Sequence, residues 1–101
     1  MVYTEAQIRD EACKEMLKVS GQTLTTSELI QRLSKRLKPT GKDAQLARNR
    51  SDTYFSQKVR NLVCHRNQST GLAARGIADY EKATESWTLT RTGRRYAANL
   101  N

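Results

Sequence analysis

The stretch Ser51-Asp-Thr-Tyr-Phe-Ser-Gln-Lys-Val-Arg-Asn-Leu-Val-Cys-His-Arg66 decides the fold that this sequence predicts. Its apolar residues fall along one side of an α-helix; they are Phe55, Val59, Leu62 and Val63. Ser51 precedes this stripe, where its hydroxyl can accept a hydrogen bond from the free N–H groups of the first turn. Asp52 adds a negative charge at the positive end of the helix dipole. We therefore expect one amphipathic helix over residues 51–66.

The opposite face of this helix is polar, and most of its side chains can bond the base edges and phosphates of DNA. Its members are Thr53, Ser56, Gln57, Arg60, Asn61 and Cys64. Such a face favours a helix that enters the major groove, although a solvated surface helix shows the same pattern. The helix alone therefore leaves both interpretations open.

The charge of the chain is unevenly distributed, which favours the first interpretation. Eighteen Lys and Arg against ten Asp and Glu give a formal net charge of +8 over 101 residues. Residues 31–75 hold eleven basic residues and only two acidic ones, Asp43 and Asp52. A localised basic segment in a small chain predicts a polyanionic partner. The length predicts a single domain, residues 1–101, with a thin core because apolar residues make up only 37%.

Cysteine and histidine usage gives no sign of a metal site. Cys13, Cys64 and the single histidine, His65, lack the spacing of metal ligands. Two isolated thiols fit a reducing compartment, although their pairing stays open. No apolar run is long enough to span a bilayer, and no signal peptide is visible. We therefore expect a cytoplasmic protein that uses no cofactor or metal and has neither a membrane partner nor a small-molecule substrate.

Two capping boxes mark the helices that precede the central stretch. Thr4 to Gln7 begins a first helix with the stripe Ile8, Ala12, Met16 and Val19, which we expect to end at Gly21. Thr25 to Glu28 begins a second helix with the core face Leu29, Ile30, Leu33 and Leu37. Pro39 disfavours helix at Lys38, so the second helix should stop there. Leu24 lies in a strand fragment between the two helices.

The C-terminal third predicts a hairpin and a short helix. Alternating residues in 77–82 and 87–90, separated by a polar turn, are typical of a β-hairpin, with Trp87 in the core. Thr90 should cap a last helix whose inward residues are Tyr96, Ala97 and Leu100. The predicted fold class is thus α+β: a winged helix-turn-helix with a three-helix core, a C-terminal β-hairpin wing and a short closing helix.

Two segments resemble parts of known winged-helix domains, and the resemblance as a whole extends over roughly residues 20–98. One segment is similar to the wing and closing helix of many prokaryotic members. It consists of Gly76-Ile-Ala-Asp-Tyr80 followed by Trp87-Thr-Leu-Thr-Arg-Thr-Gly93-Arg-Arg-Tyr-Ala97. Phe55 to Arg66 resembles the third helix of modules attached to restriction endonucleases, including the N-terminal domains of Mrr-type and HNH-type, modification-dependent enzymes. The resemblance implies a module that selects double-stranded DNA, sometimes by a modified base such as a modified cytosine, while a separate nuclease domain in cis or in trans cuts it.

The chain itself lacks the nuclease motifs of such enzymes. A ββα-metal motif needs several histidines, and Glu81 and Lys82 are adjacent rather than in a Glu-x-Lys arrangement. No cluster of acid, base and nucleophile is visible either. We therefore expect a DNA reader of a restriction or defence protein, standalone or part of a larger enzyme, and not an enzyme in its own right.

Docking of the central helix in the major groove predicts which residues contact DNA. Base contacts are expected from Thr53, Ser56, Gln57 and Arg60. Gln57 suits adenine, and Arg60 suits the acceptor edge of guanine. Backbone contacts are expected from Arg48, Arg50, Ser51, Lys58, Asn61, Arg66 and Lys82.

Two other functions stay open at this point. A transcriptional regulator of the same fold would bind two-fold sites as a dimer. A protein-interaction module that docks on an acidic partner would show no affinity for duplex DNA at low salt. The DNA reader predicts instead binding that weakens steeply as salt rises.

Overall fold

Four α-helices and one small antiparallel sheet make up the described part of the chain. The computed structural model describes residues 3–40 and 53–100. The elements in order are α1 (Glu5–Lys18), a 3-10 turn (Ser20–Gln22), β1 (Thr23–Thr25), α2 (Thr26–Leu37), α3 (Tyr54–Cys64), β2 (Ala78–Glu81), β3 (Ser86–Leu89) and α4 (Arg91–Ala98). This confirms the predicted α+β class and the order of the elements. None of the helices in these two ranges is long and apolar enough to cross a membrane.

Threonine hydroxyls fix the starts of α1 and α2, as the two capping boxes predicted. Thr4 Oγ1 accepts from the N–H of Gln7 at 3.1 Å, and the Gln7 side chain accepts from the N–H of Thr4 at 2.8 Å. Thr25 and Glu28 repeat this exchange at 3.1 and 2.8 Å. The hydrogen bond from the backbone of Thr25 holds the pKa of the Glu28 carboxyl below its usual value.

The ends of these helices differ in how well the sequence located them. α2 ends at Leu37, and Lys38 adopts a left-handed conformation with φ 49° before Pro39, as expected. α1 ends at Lys18 and not at Gly21. Gly21 instead lies in the 3-10 turn with φ 78°, a conformation that glycine adopts without strain.

The sheet has the strand order β1-β3-β2, with both pairs antiparallel. Trp87 lies opposite Leu24 on one side and Tyr80 on the other. The β2–β3 turn is fastened to the start of α2, because the carbonyl oxygen of Glu85 accepts from the N–H of Thr26 at 2.9 Å. The sheet therefore connects α2 directly to the hairpin that follows α3.

The core lies between the helices and the sheet, and the predicted stripes supply most of it. Its fully buried large side chains are Trp87, Phe55, Ile8, Met16, Leu29, Leu33, Leu72, Val59 and Cys13. Burial raises the pKa of the Cys13 thiol to about 12, which makes it an inert core residue. Ala97 on α4 is buried, while Tyr96 on α4 and Leu100, two residues after its end, are half-buried. These packing predictions are therefore confirmed.

Candidate nucleic-acid interface

Helix α3 begins later than the sequence predicted. Thr53 is its N-cap, with its hydroxyl accepting from the N–H of Ser56 at 3.1 Å, and Tyr54 is the first helical residue. The expectation that Ser51 caps this helix is therefore wrong. Thr53 fills that position because threonine provides the same hydroxyl acceptor. Ser51, Arg48 and Arg50 lie outside the described residues, so their predicted contacts with the DNA backbone stay predictions.

The polar face of α3 forms a ridge opposite its buried stripe. We call this surface the polar ridge; it comprises Thr53, Ser56, Gln57, Arg60 and Asn61. All five residues are half-buried, whereas the sequence suggested an open face. One reason is that members of the ridge bond one another. The Thr53 hydroxyl donates to Ser56 Oγ at 3.1 Å, and Gln57 Nε2 donates to Asn61 Oδ1 at 3.0 Å.

Gln57 holds an unpaired acceptor in this arrangement. Its Oε1 is buried and has no hydrogen-bond partner, while its Nε2 is used by Asn61. A buried acceptor without a partner costs about 1–3 kcal/mol. Bidentate recognition of adenine uses both amide atoms of a glutamine at once. Gln57 must therefore release Asn61 and turn outward before it can contact adenine in the predicted way.

One flank of α3 is occupied by contacts to the N-terminal segment. Lys58 Nζ donates to the carbonyl oxygen of Tyr3 at 2.7 Å. His65 Nδ1 lies 2.9 Å from Glu5 Oε1. The backbone N–H of His65 donates to the carbonyl oxygen of Asn61 at 2.8 Å, so His65 closes the helix. In this geometry Lys58 ties α3 to the N-terminal segment, so its predicted contact with the DNA backbone stays a prediction that would require it to release Tyr3.

The other flank of α3 borders a surface cleft shared with α2 and the hairpin. The cleft measures about 210 Å³ and is lined by Thr26, Arg60, Val63, Cys64, Tyr80 and Glu85. Cys64 is exposed, as predicted for a residue on the polar side. Arg60 thus lies where α3 faces the hairpin, and a group inserted here would meet its guanidinium beside apolar walls.

Arg66 is held in place by two contacts within the chain. Its Nη1 donates to the carbonyl oxygen of Val63 at 2.7 Å, and its guanidinium lies 5.0 Å over the ring of Tyr80. Tyr80 packs in turn on Trp87. Arg66 therefore joins the end of α3 to strand β2, a role that the sequence did not reveal. Its predicted contact with DNA would require it to serve both purposes.

The hairpin is acidic, which bears on the predicted contact from Lys82. Lys82 is exposed at the start of the turn, and it is the only basic residue between positions 78 and 89. Asp79, Glu81 and Glu85 of the same hairpin are exposed as well. Three carboxylates near one ammonium group repel phosphates. The hairpin is thus poorly suited to neutralise DNA, and the contact of Lys82 with the DNA backbone stays a prediction.

Part of the basic charge of the middle segment is neutralised inside the chain. Arg36 lies 2.6 Å from Glu11 Oε1 and 2.7 Å from Glu15 Oε2, and Arg32 lies 3.6 Å from Glu15 Oε1. Burial raises the pKa of Glu11, but hydrogen bonds from Lys14 and Arg36 outweigh it and lower the pKa below its usual value. The charge available to a partner is therefore smaller than the sequence suggests, because α1 supplies carboxylates to α2.

Helix α4 carries a basic group that was not among the predicted contacts. Arg91, Arg94 and Arg95 are all exposed. The signal, three arginines within five residues and no acidic residue in the helix, is visible in the sequence.

Comparisons with known proteins provide no relative from which a function of this interface could be inferred. No family model, no curated protein and no solved structure matches the chain. Within residues 3–40 and 53–100, no group of three or more His, Cys, Asp or Glu side chains could hold a metal ion.

Proposed function

We propose that this chain is a winged helix-turn-helix domain that binds double-stranded DNA through α3 in the major groove. In this assignment α2 and α3 are the helix-turn-helix pair, the β2–β3 hairpin is the wing and α4 is the closing helix. The observation that carries the proposal is the polar ridge of α3. It lies opposite the stripe of Phe55, Val59 and Leu62, which are buried, so the helix has one face for the core and one for a partner.

Arg60 is the residue on which base recognition depends most in this proposal. It belongs to the polar ridge and also lines the cleft between α3 and the wing. An arginine that reaches the major groove can donate two hydrogen bonds to O6 and N7 of guanine, worth about 1–3 kcal/mol of discrimination. Gln57 contributes only after its bond to Asn61 Oδ1 breaks. Thr53 and Ser56 can donate to bases or phosphates when their mutual hydrogen bond opens.

The same cleft supports a contact with a modified pyrimidine. Val63 and the exposed Cys64 line it beside Arg60. The C5 substituent of thymine or of a modified cytosine points into the major groove and packs on apolar side chains. We therefore propose that the domain serves a restriction or defence protein, with a nuclease domain as its partner in cis or in trans.

A binding series tests this function. The parent chain is titrated with matched duplexes that carry cytosine, 5-methylcytosine or a bulkier cytosine modification, each across a range of salt concentrations. We expect affinity to fall with salt by a log–log slope of about −0.9 for each phosphate neutralised. Arg60→Ala should reduce the preference among duplexes by about tenfold, since tenfold corresponds to about 1.4 kcal/mol.

Two variants separate base recognition from general attraction. Arg48→Ala should weaken every duplex to the same degree if Arg48 contacts the backbone. Lys35→Ala removes one exposed charge from α2, away from the polar ridge, and serves as the control. Equal binding of all duplexes by the parent and by Arg60→Ala would overturn the assignment of α3 as the reading helix.

A further inference from the structure

Three arginines form the outward face of α4. Arg91, Arg94 and Arg95 are exposed, and their side chains form no ion pair or hydrogen bond with another residue in ranges 3–40 and 53–100. Positions 91, 94 and 95 lie on one side of a helix. Gly93 and Ala97 occupy the opposite side and are buried. We call these three arginines the α4 patch.

A fourth arginine contacts α4 outside this patch, through Tyr96. The guanidinium of Arg75 lies 5.0 Å over the ring of Tyr96, and Arg75 is exposed. The hydroxyl of Tyr96 donates to Asp10 on α1 at 2.5 Å, so this carboxylate is bonded to the tyrosine instead of to an arginine. Arg75 interacts with the same hydroxyl, so Asp10 lies close to it and balances part of its charge. Among the described residues, the positive charge on α4 without a paired carboxylate is therefore that of Arg91, Arg94 and Arg95.

The α4 patch and the polar ridge lie on different sides of the chain. Helix α1 faces α4 with Asp10, whereas it faces the end of α3 with Glu5, which contacts His65. Five residues at about 100° each place these two side chains about 140° apart around α1. The arginines point away from α1. A straight duplex lying on the polar ridge therefore leaves the α4 patch uncovered.

We propose that the α4 patch binds the phosphate backbone of a second duplex segment, so that one domain can hold two DNA segments together. This rests on the proposed function only in that the first duplex occupies α3. The patch contains no aromatic or large aliphatic residue, whereas protein interfaces depend on such anchors. Contacts to DNA phosphates need only positive charge and donors, which arginine supplies. The chemistry of the patch therefore fits DNA better than it fits an acidic protein.

The dimensions of the patch agree with this partner. Arg91 and Arg95 are separated by about 6 Å along the axis of α4. Each strand of DNA carries one phosphate per about 3.4 Å of its axis. The patch can therefore face two or three successive phosphates.

A capture experiment tests the proposal. Parent chain is loaded on an immobilised duplex, unbound chain is washed away, and a second, labelled duplex is added. The test variant is Arg91→Gln, Arg94→Gln and Arg95→Gln together. The control variant, Lys18→Gln, Lys35→Gln and Lys38→Gln together, removes the same charge from α1, α2 and the residue after α2. Glutamine keeps a long side chain and a good helix propensity in both.

The parent and the control should capture the labelled duplex, and the test variant should capture at least tenfold less while still binding the immobilised one. The salt slope of capture should fall by about 1.8 to 2.7 in the test variant, at about 0.9 for each of two or three phosphates. Equal capture by the test variant and the parent would overturn the proposal. A competition test would overturn it as well, if polyglutamate abolished capture by the parent at a concentration at which the same amount of unlabelled duplex had no effect.

Failure of this proposal can be told apart from failure of the proposed function. Binding of the first duplex is read with Arg60→Ala, whereas capture of the second is read with the α4 variants. A parent that binds the first duplex through Arg60 but captures no second duplex contradicts only the α4 proposal. A chain whose whole DNA affinity is lost in the α4 variant and kept in Arg60→Ala contradicts the assignment of α3, and with it the holding of two segments, because only the α4 patch then binds DNA.

Discussion

The guanidinium of Arg66 lies 5.0 Å over the ring of Tyr80, which fastens the residues after α3 to strand β2. Tyr80 lies opposite Trp87 in the β-ladder, and the centroids of their rings are 5.0 Å apart. Arg66, Tyr80 and the buried Trp87 therefore form one stack from the surface to the core. This stack sets the position of the hairpin relative to α3, and with it the shape of the cleft that contains Arg60.

Replacement of Arg66 should reduce stability. We expect Arg66→Ala to lower the free energy of unfolding by about 1–2 kcal/mol, since it removes a cation–π contact and a charged hydrogen bond to Val63. Arg66→Lys should restore little, because an ammonium group does not reproduce a stacked planar guanidinium. Denaturant unfolding measures both, with Arg94→Ala as an exposed control. Full stability of Arg66→Lys would show that the positive charge of this side chain, and not its planar guanidinium, accounts for the stabilisation.

Gly93→Ala should be among the most damaging single changes in the chain. A Cβ at Gly93 would lie 1.8 Å from the carbonyl oxygen of Ile77, and this oxygen also accepts from the N–H of Thr90 at 3.0 Å. A shift of either backbone would strain the hydrogen bonds that Thr90, the N-cap of α4, makes to Ile77 and Gly93. We expect a loss of about 3 kcal/mol or more, at the upper end for single substitutions. Thr92→Ala, at an exposed neighbouring position, should change the midpoint of denaturant unfolding little; similar midpoints for both would refute the close packing.

The starts and the buried faces of most helices were predicted correctly, because they depend on local periodicity and capping. The threonines at positions 4, 25 and 90 cap helices as expected, because a hydroxyl three residues before a free N–H is a local arrangement. The stripes of α1, α2 and α3 face the core for the same reason. The cap of α3 was misplaced because Ser51 and Thr53 offer the same hydroxyl, and spacing alone does not choose between them.

The candidate interface was harder to predict, since its properties depend on contacts between distant parts of the chain. The bond from Lys58 to the carbonyl of Tyr3 joins residues 55 positions apart, and Arg36 finds its carboxylates on α1. A count of charges along the sequence treats all of these cations as available. The half-burial of Gln57 could not be inferred either, because it depends on side-chain rotamers and on tertiary packing.

The two cysteines should differ sharply in reactivity. Cys13 is fully buried with a pKa raised to about 12, whereas Cys64 is exposed. Iodoacetamide at pH 8.5 should therefore add one group to the folded chain, at Cys64, and none to Cys64→Ser. In denaturant, both thiols of the parent should react. Mass spectrometry of peptides gives the sites, and modification of Cys13 in the folded chain at a rate equal to that of Cys64 would contradict its burial.

The hairpin offers a way to separate backbone strain from electrostatic repulsion. Glu85 has φ 52°, a left-handed conformation that disfavours residues other than glycine, while Glu81 lies in strand β2. Glu85→Gly should stabilise the chain by about 1 kcal/mol, because glycine adopts this conformation without strain. Glu81→Gln removes the same charge and should leave the free energy of unfolding nearly unchanged. Both should strengthen binding of duplex DNA at low salt by about the same factor, an effect that should shrink as salt rises. The repulsion model would be contradicted if Glu85→Gly bound DNA more tightly and Glu81→Gln did not. The tighter binding would then come from release of backbone strain in the turn.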